Sequence, residues 1–129
     1  MKLIIGGRNC GQIEYARGVM GLSPACCSVE ESYHASCIAD FHDTLKSLLS
    51  EGVLSLDEYL GNLFQKNPNA MILCDEVGMG IIPLHREDRV WREMVGRACC
   101  AIALQADEVI RLVCGVPQVI KKTEKNING

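Results

Sequence analysis

The residues with the clearest chemical potential are Gly6-Gly7-Arg8-Asn9-Cys10-Gly11-Gln12-Ile13. The apolar run Leu3-Ile4-Ile5 leads into them, and a helix-competent segment follows. A strand, a glycine-rich turn and a helix in that order build a phosphate cradle of pattern G-x-x-x-x-G-K-[ST]. Its backbone N–H groups and helix N-terminus hold the α- and β-phosphates of a nucleotide. Both glycines stand at the required spacing, but Gln12 takes the lysine position and Ile13 the hydroxyl position. Gln12 donates hydrogen bonds without a charge. A charge-assisted bond contributes about 1.5–3 kcal/mol against about 1 for a neutral one, so this change alone weakens binding on the order of tenfold. Transition-state stabilisation suffers more, because charge develops there. Ile13 has no oxygen to offer Mg2+. The pattern predicts that binding survives and phosphoryl transfer does not.

Other residues carry chemistry by type. Cys26, Cys27, His34 and Cys37 are zinc-ligand types, but their spacing fits no standard site, so ordinary thiols are the stronger expectation. None of the eight cysteines forms a C-x-x-C pair, which argues against a thioredoxin-like site or a zinc ribbon. Asp40 ends the apolar stretch Ser36–Phe41 and is either a metal ligand or a cap for the next helix. His42 beside Asp43 offers an acid/base pair, although such neighbours are common without that role. Glu76, close to Gly78 and Gly80, could contact a ligand or a neighbouring subunit; a structural role is favoured. His85 reads as surface loop, and Trp91, Met94 and Val95 as core or subunit interface.

The elements that must position these residues follow from hydrophobic period. Ile13, Ala16, Val19 and Met20 make one helical face over residues 12–20, stopped by Gly21 and Pro24. Residues 25–33 show little periodicity, with Glu30 and Glu31 read as solvated. A buried strand over 36–41 is expected, then a helix over 43–49 ending near Gly52. Ser55 with Glu58 forms a capping box for a helix ending near Asn67-Pro68. Residues 70–74 are a second buried strand, residues 86–106 the longest helix with Trp91, Val95, Ala98 and Ile102 on one face, and 108–115 a last strand. The tail from Lys121 is polar and expected to fray. Strands alternating with helices predict an α/β fold with a mainly parallel sheet and helices on both faces, in a single domain over 1–122 with a tail at 123–129.

The hydrophobic fraction of 48% is ordinary for a globular domain. A net charge of −3 gives no nucleic-acid surface. No apolar run reaches the ~20 residues that span a membrane, and the N-terminus does not read as a signal peptide. A cytoplasmic protein with reduced thiols is expected.

From Asp75 onward the sequence becomes specific. Asp75-Glu76-Val77-Gly78-Met79-Gly80-Ile81-Ile82-Pro83, then residues 96–121 (GRACCAIALQADEVIRLVCGVPQVIK), closely resemble the C-terminal half of bifunctional adenosylcobinamide kinase/adenosylcobinamide-phosphate guanylyltransferases of cobalamin biosynthesis. The resemblance covers residues 70–122 strongly and residues 2–16 through the glycine loop. It implies a P-loop-like three-layer fold, reduced in size, GTP or ATP with Mg2+ as cofactors, a corrinoid as a further ligand and a homo-oligomer, a trimer in the family. It also implies that Asp40 matches an acidic residue near Mg2+ and nucleotide, with Phe41, His42 and Asp43 replacing the family's Cys-Leu-Thr. The family's guanylylated histidine motif, H-R-x-x-R-P-x-x-W, is absent; His34 lies in that part of the chain without its neighbours. The short connection at 25–33 suggests that the segment bearing the motif, with a strand, is missing. Three readings follow: a pseudoenzyme with residual nucleotide or corrinoid binding; a working kinase/guanylyltransferase with Arg8 as substitute cation; or a structural or regulatory subunit without a nucleotide site.

Overall fold

The computed structural model describes residues 1–76 and 85–123. The elements run β1 (Lys2–Gly6), α1 (Gln12–Gly18), β2 (Ala25–Cys26), α2 (Val29–Ser32), β3 (Cys37–Ala39), α3 (Phe41–Glu51), α4 (Leu56–Lys66), β4 (Met71–Asp75), α5 (Arg86–Gln105), β5 (Glu108–Val113) and β6 (Val116–Lys122). The glycines expected near Glu76, Gly78 and Gly80, and the tail beyond Thr123, lie outside the described residues.

The strands form one sheet in the order β2-β3-β4-β1-β5-β6. All neighbours are parallel except β5 and β6. Strand side chains alternate between faces, so a strand covered on both sides must be apolar throughout. In β1, Leu3 enters the larger core while Ile4 enters a second one on the opposite face. Likewise Ile72 and Cys74 of β4 join the first, and Met71 and Leu73 the second. The larger core is closed by α3, α4 and α5 through Leu45, Leu48, Leu60, Leu63, Val95, Ala98 and Ile102. The second is closed by α1 through Ala16, with Ile13 and Tyr15 packed against it. This is the three-layer α/β arrangement that the alternating elements imply. Among the described residues no helix is long and apolar enough to cross a membrane.

Several local features differ from the sequence reading. Residues 25–33, where little periodicity is seen in the sequence, hold a short edge strand, β2, and a one-turn helix, α2. Glu31 is not simply solvated: it closes a capping box with Ser28. The box at Ser55 and Glu58 forms as expected. Phe41 is the fully buried first residue of α3 rather than the end of a strand. The chain after Val113 turns back: Cys114 and Gly115 have φ of 51° and 78°, the left-handed pair that suits a two-residue hairpin, and β6 returns antiparallel to β5. Lys121 therefore belongs to a strand, and its ammonium donates to the carbonyls of Ala103 and Leu104 at the end of α5.

Candidate functional site

The loop leaves the centre of the sheet at Gly6 and becomes α1 at Gln12. Gly11 is the residue before the helix and has φ 95°, a conformation that L side chains avoid. A Cβ on Gly6 would lie 2.9 Å from the Leu112 carbonyl oxygen, so glycine is required there by the neighbouring strand. At Gly7 the added atom would meet only the Cys10 thiol at 3.3 Å. Gly6 and Gly11 thus have backbone reasons to be glycine, independent of any ligand. The tip of the β5–β6 hairpin braces the loop, with the Gly115 N–H donating to the Cys10 carbonyl at 3.0 Å.

Gln12 is buried, and its side chain turns under the loop. Its amide nitrogen donates to the Gly7 carbonyl at 3.2 Å and to Asp75 Oδ1 at 3.3 Å. A carboxamide has two N–H donors, and both are taken. The lysine position is therefore filled by an uncharged group already engaged with the loop and with the end of β4.

Asp40, His42 and Asp75 meet beside this loop because β3 is shorter than β4. Cys37 and Ile38 pair with Met71 and Ile72, after which β3 gives way to α3. The Asp75 N–H, facing that side, has no strand to bond and donates instead to His42 Nδ1 at 3.2 Å. That bond fixes the neutral ring with its proton on Nε2. His42 Nε2 lies 3.7 Å from Asp75 Oδ2 and 4.0 Å from Asp43 Oδ1, so the expected His42–Asp43 pair is subordinate to Asp75. A nucleophilic or metal-binding Nε2 would need the opposite tautomer, and the Asp75 amide opposes it. Asp40 precedes α3 but makes no capping bond; its φ is 49°, and its carboxylate accepts a contact from the Cys26 thiol at 3.4 Å.

A cavity of about 680 Å3 opens over these groups, outside the carboxyl ends of β1, β3 and β4, where ligands bind in open α/β sheets. Residues 8–13 and Asp40, expected from the sequence, line it; Gly6 and Gly7 lie behind. Its three left-handed non-glycine residues, Asn9, Asp40 and Cys114, are the full set found among the described residues. Such backbone strain gathers at binding sites. Among the described residues, Glu14, Asp40, Asp43 and Asp75 line the cavity against a single guanidinium, Arg8. Burial lifts the Asp75 carboxyl above its ordinary value; Asp40 and Asp43 reinforce this, while Arg8 opposes it.

Asp40, His42 and Asp75 offer ligand atoms within 4.8 Å of one another. Mg2+ takes oxygen donors and keeps much of its water. The Asp40 and Asp75 carboxylates fit that preference, and a cation between them would relieve their crowding; the His42 tautomer and the apolar Ile13 contribute no ligand. The zinc-ligand types among Cys26, Cys27, His34 and Cys37 are spread over the fold: Cys37 is buried in the second core, whereas Cys27 packs against the first.

Glu76 has the structural role favoured from the sequence. Arg111 Nε donates to Glu76 Oε1 at 2.8 Å and Nη2 to Oε2 at 3.2 Å, linking the end of β4 to β5 across β1. Trp91 packs on the larger core and donates from Nε1 to the His42 carbonyl at 2.8 Å. His85 is the exposed residue before α5. The pairing of His42 with Asp75 is not readable from the sequence, which shows only an Asp at the end of an apolar run.

No curated protein matches the chain at a significant level. The model of the family described as cobinamide kinase / cobinamide phosphate guanyltransferase matches residues 46–120. Asp75, Glu76 and Arg111 lie inside that stretch, while the glycine loop and Asp40 precede it. With more than half of its length matched, and with an α/β sheet of the expected kind, the chain belongs to the cobinamide kinase / cobinamide phosphate guanyltransferase family.

Proposed function

We propose that this chain binds a nucleotide, GTP or ATP, as its Mg2+ complex and has lost efficient phosphoryl and guanylyl transfer. The observation that carries this reading is the Gln12 amide, whose two donors are spent on Gly7 and Asp75. Among the described residues a phosphate approaching the loop meets no ammonium, and winning an N–H from Gln12 costs one of those bonds. Arg8 supplies the cationic contact, as the one Lys or Arg lining the cavity among the described residues. Four carboxylates repel a bare polyphosphate, so binding requires a divalent cation. Asp40 and Asp75 would hold Mg2+, which would screen phosphate charge from the carboxylates. His42 holds the Asp75 backbone in place and presents Nε2–H beside its carboxylate. The family adds a corrinoid as a further ligand, a homo-oligomer and a cytoplasmic setting to this reading; light scattering on the purified protein checks the assembly.

Calorimetric titration with GTP and ATP, with and without Mg2+, tests the reading. Saturable heat with Mg2+, abolished by EDTA, is the expected result. No heat under either condition overturns it in favour of a structural subunit. A second reading, a working enzyme with Arg8 in the role of the lysine, is favoured by the place of Arg8 at the cavity. Turnover of a cobinamide substrate that disappears in Arg8→Met would establish it.

A further inference from the structure

Eight cysteines are free thiols, and two of them touch within the larger core. Cys74 is the penultimate residue of β4, directly before Asp75, and is 1% exposed. Cys99 lies in the middle of α5 and is partly exposed. Their sulfurs are 3.8 Å apart. We propose that Cys74 and Cys99 form a reversible disulfide when the chain meets a peroxide, tying the end of β4 to the middle of α5.

A disulfide needs sulfurs about 2.05 Å apart, so the two sulfurs must close in from 3.8 Å. The two thiols differ in access, which gives the reaction an order. Cys99 is the more exposed of the two residues, so oxidation begins there, and the hydrogen bond it shares with Cys74 lowers its thiol from the ordinary value. The Cys99 thiolate attacks one peroxide oxygen; the O–O bond breaks, a sulfenic acid forms and the other oxygen leaves as water after taking a proton. The Cys74 sulfur then attacks the Cys99 sulfur, the S–O bond breaks, and hydroxide leaves with the Cys74 proton as a second water. Two thiols lose two electrons and one peroxide becomes two waters. Burial of Cys74 keeps it from reacting separately, so it acts only on a sulfenic acid formed at Cys99.

The bond would close the stretch between β4 and α5, which carries Asp75 and Glu76, and so restrict the unfolded chain. Reduced full-length protein is treated with a few equivalents of hydrogen peroxide, alkylated under denaturing conditions, digested and mapped by mass spectrometry. A Cys74–Cys99 linked peptide should dominate the disulfides and vanish on treatment with dithiothreitol. Cys99→Ala should lack it and Cys100→Ala should keep it. Recovery of Cys74 as the alkylated thiol with Cys99 as sulfinic acid overturns the proposal, as does Cys99 joined to Cys100. Because the map of the unaltered chain decides this, a variant that fails to fold does not blunt the test. The linked protein should also melt above the reduced one; a lower Tm overturns the clamp.

Discussion

The side-chain amide of Gln12 donates to Asp75 Oδ1 across 3.3 Å, joining the first turn of α1 to the end of β4. In the phosphate-cradle pattern, position 12 reaches toward phosphate. Here it reaches under the loop, and the same carboxylate crowds Asp40 and the His42 ring. The contact gives the Gln12 side chain a structural partner at the end of β4, and it sets the first prediction. Gln12→Lys together with Ile13→Ser should raise Mg·GTP affinity by about tenfold or more, because a charge-assisted bond replaces a neutral one. Calorimetry against the unaltered chain reads this directly.

His42 has a purely structural test. Removing its ring in His42→Ala leaves the Asp75 N–H without the partner it finds at 3.2 Å. The expected cost is about 1–3 kcal/mol in denaturant unfolding, the penalty for an orphaned buried donor. His42→Asn, whose side-chain oxygen can accept the same N–H, should recover part of it.

The loop glycines should separate. Gly6→Ala places a methyl group 2.9 Å from the Leu112 carbonyl oxygen and should destabilise the fold by about 1–3 kcal/mol. Gly7→Ala meets only a movable thiol and should stay within about 1 kcal/mol of the parent. Thermal unfolding of the pair distinguishes a fold requirement from a binding requirement.

Alkaline pH should weaken the fold through Cys37. Burial, reinforced by the nearby Cys27, pushes its thiol up to about 11. Below the ordinary thiol range both folded and unfolded chains keep the proton. Between that range and about 11 the unfolded chain releases it and the folded chain does not, so stability falls as pH rises across the window. Urea midpoints measured through this range should decline, and Cys37→Ala should make the decline shallower.

Most of the architecture was legible because it rests on local pattern. Leu3-Ile4-Ile5 and Met71–Cys74 are apolar without interruption, as strands buried on both faces must be, and Leu45, Leu48, Leu60 and Leu63 mark the inward faces of α3 and α4. What the sequence concealed lacks such a pattern. β2 is two exposed residues, and β6 is exposed along nearly all its length and contains Pro117, so neither shows a buried face. The capping box of α2 was there to read in Ser28 and Glu31, but a four-residue helix leaves no period to support it. The loop and Asp40 could be placed from spacing, and they do line one cavity. The bond between His42 and Asp75 could not, because it exists only where β3 stops and β4 continues.

The central place of β1 has a consequence for how the cavity comes into being. Lys2 stands in register with Met71 on one side and Glu108 on the other, so both neighbours of the first strand are made long after it. Closing such long loops is entropically slow, and in the meantime β1 has α1, which packs on Ile4 through Ala16, as its neighbour in sequence. The glycine loop is also braced by Gly115, which is later still. During synthesis on the ribosome, then, the loop residues emerge well before β4 and β5, and the cavity they line can be assembled only after the β5–β6 hairpin has appeared.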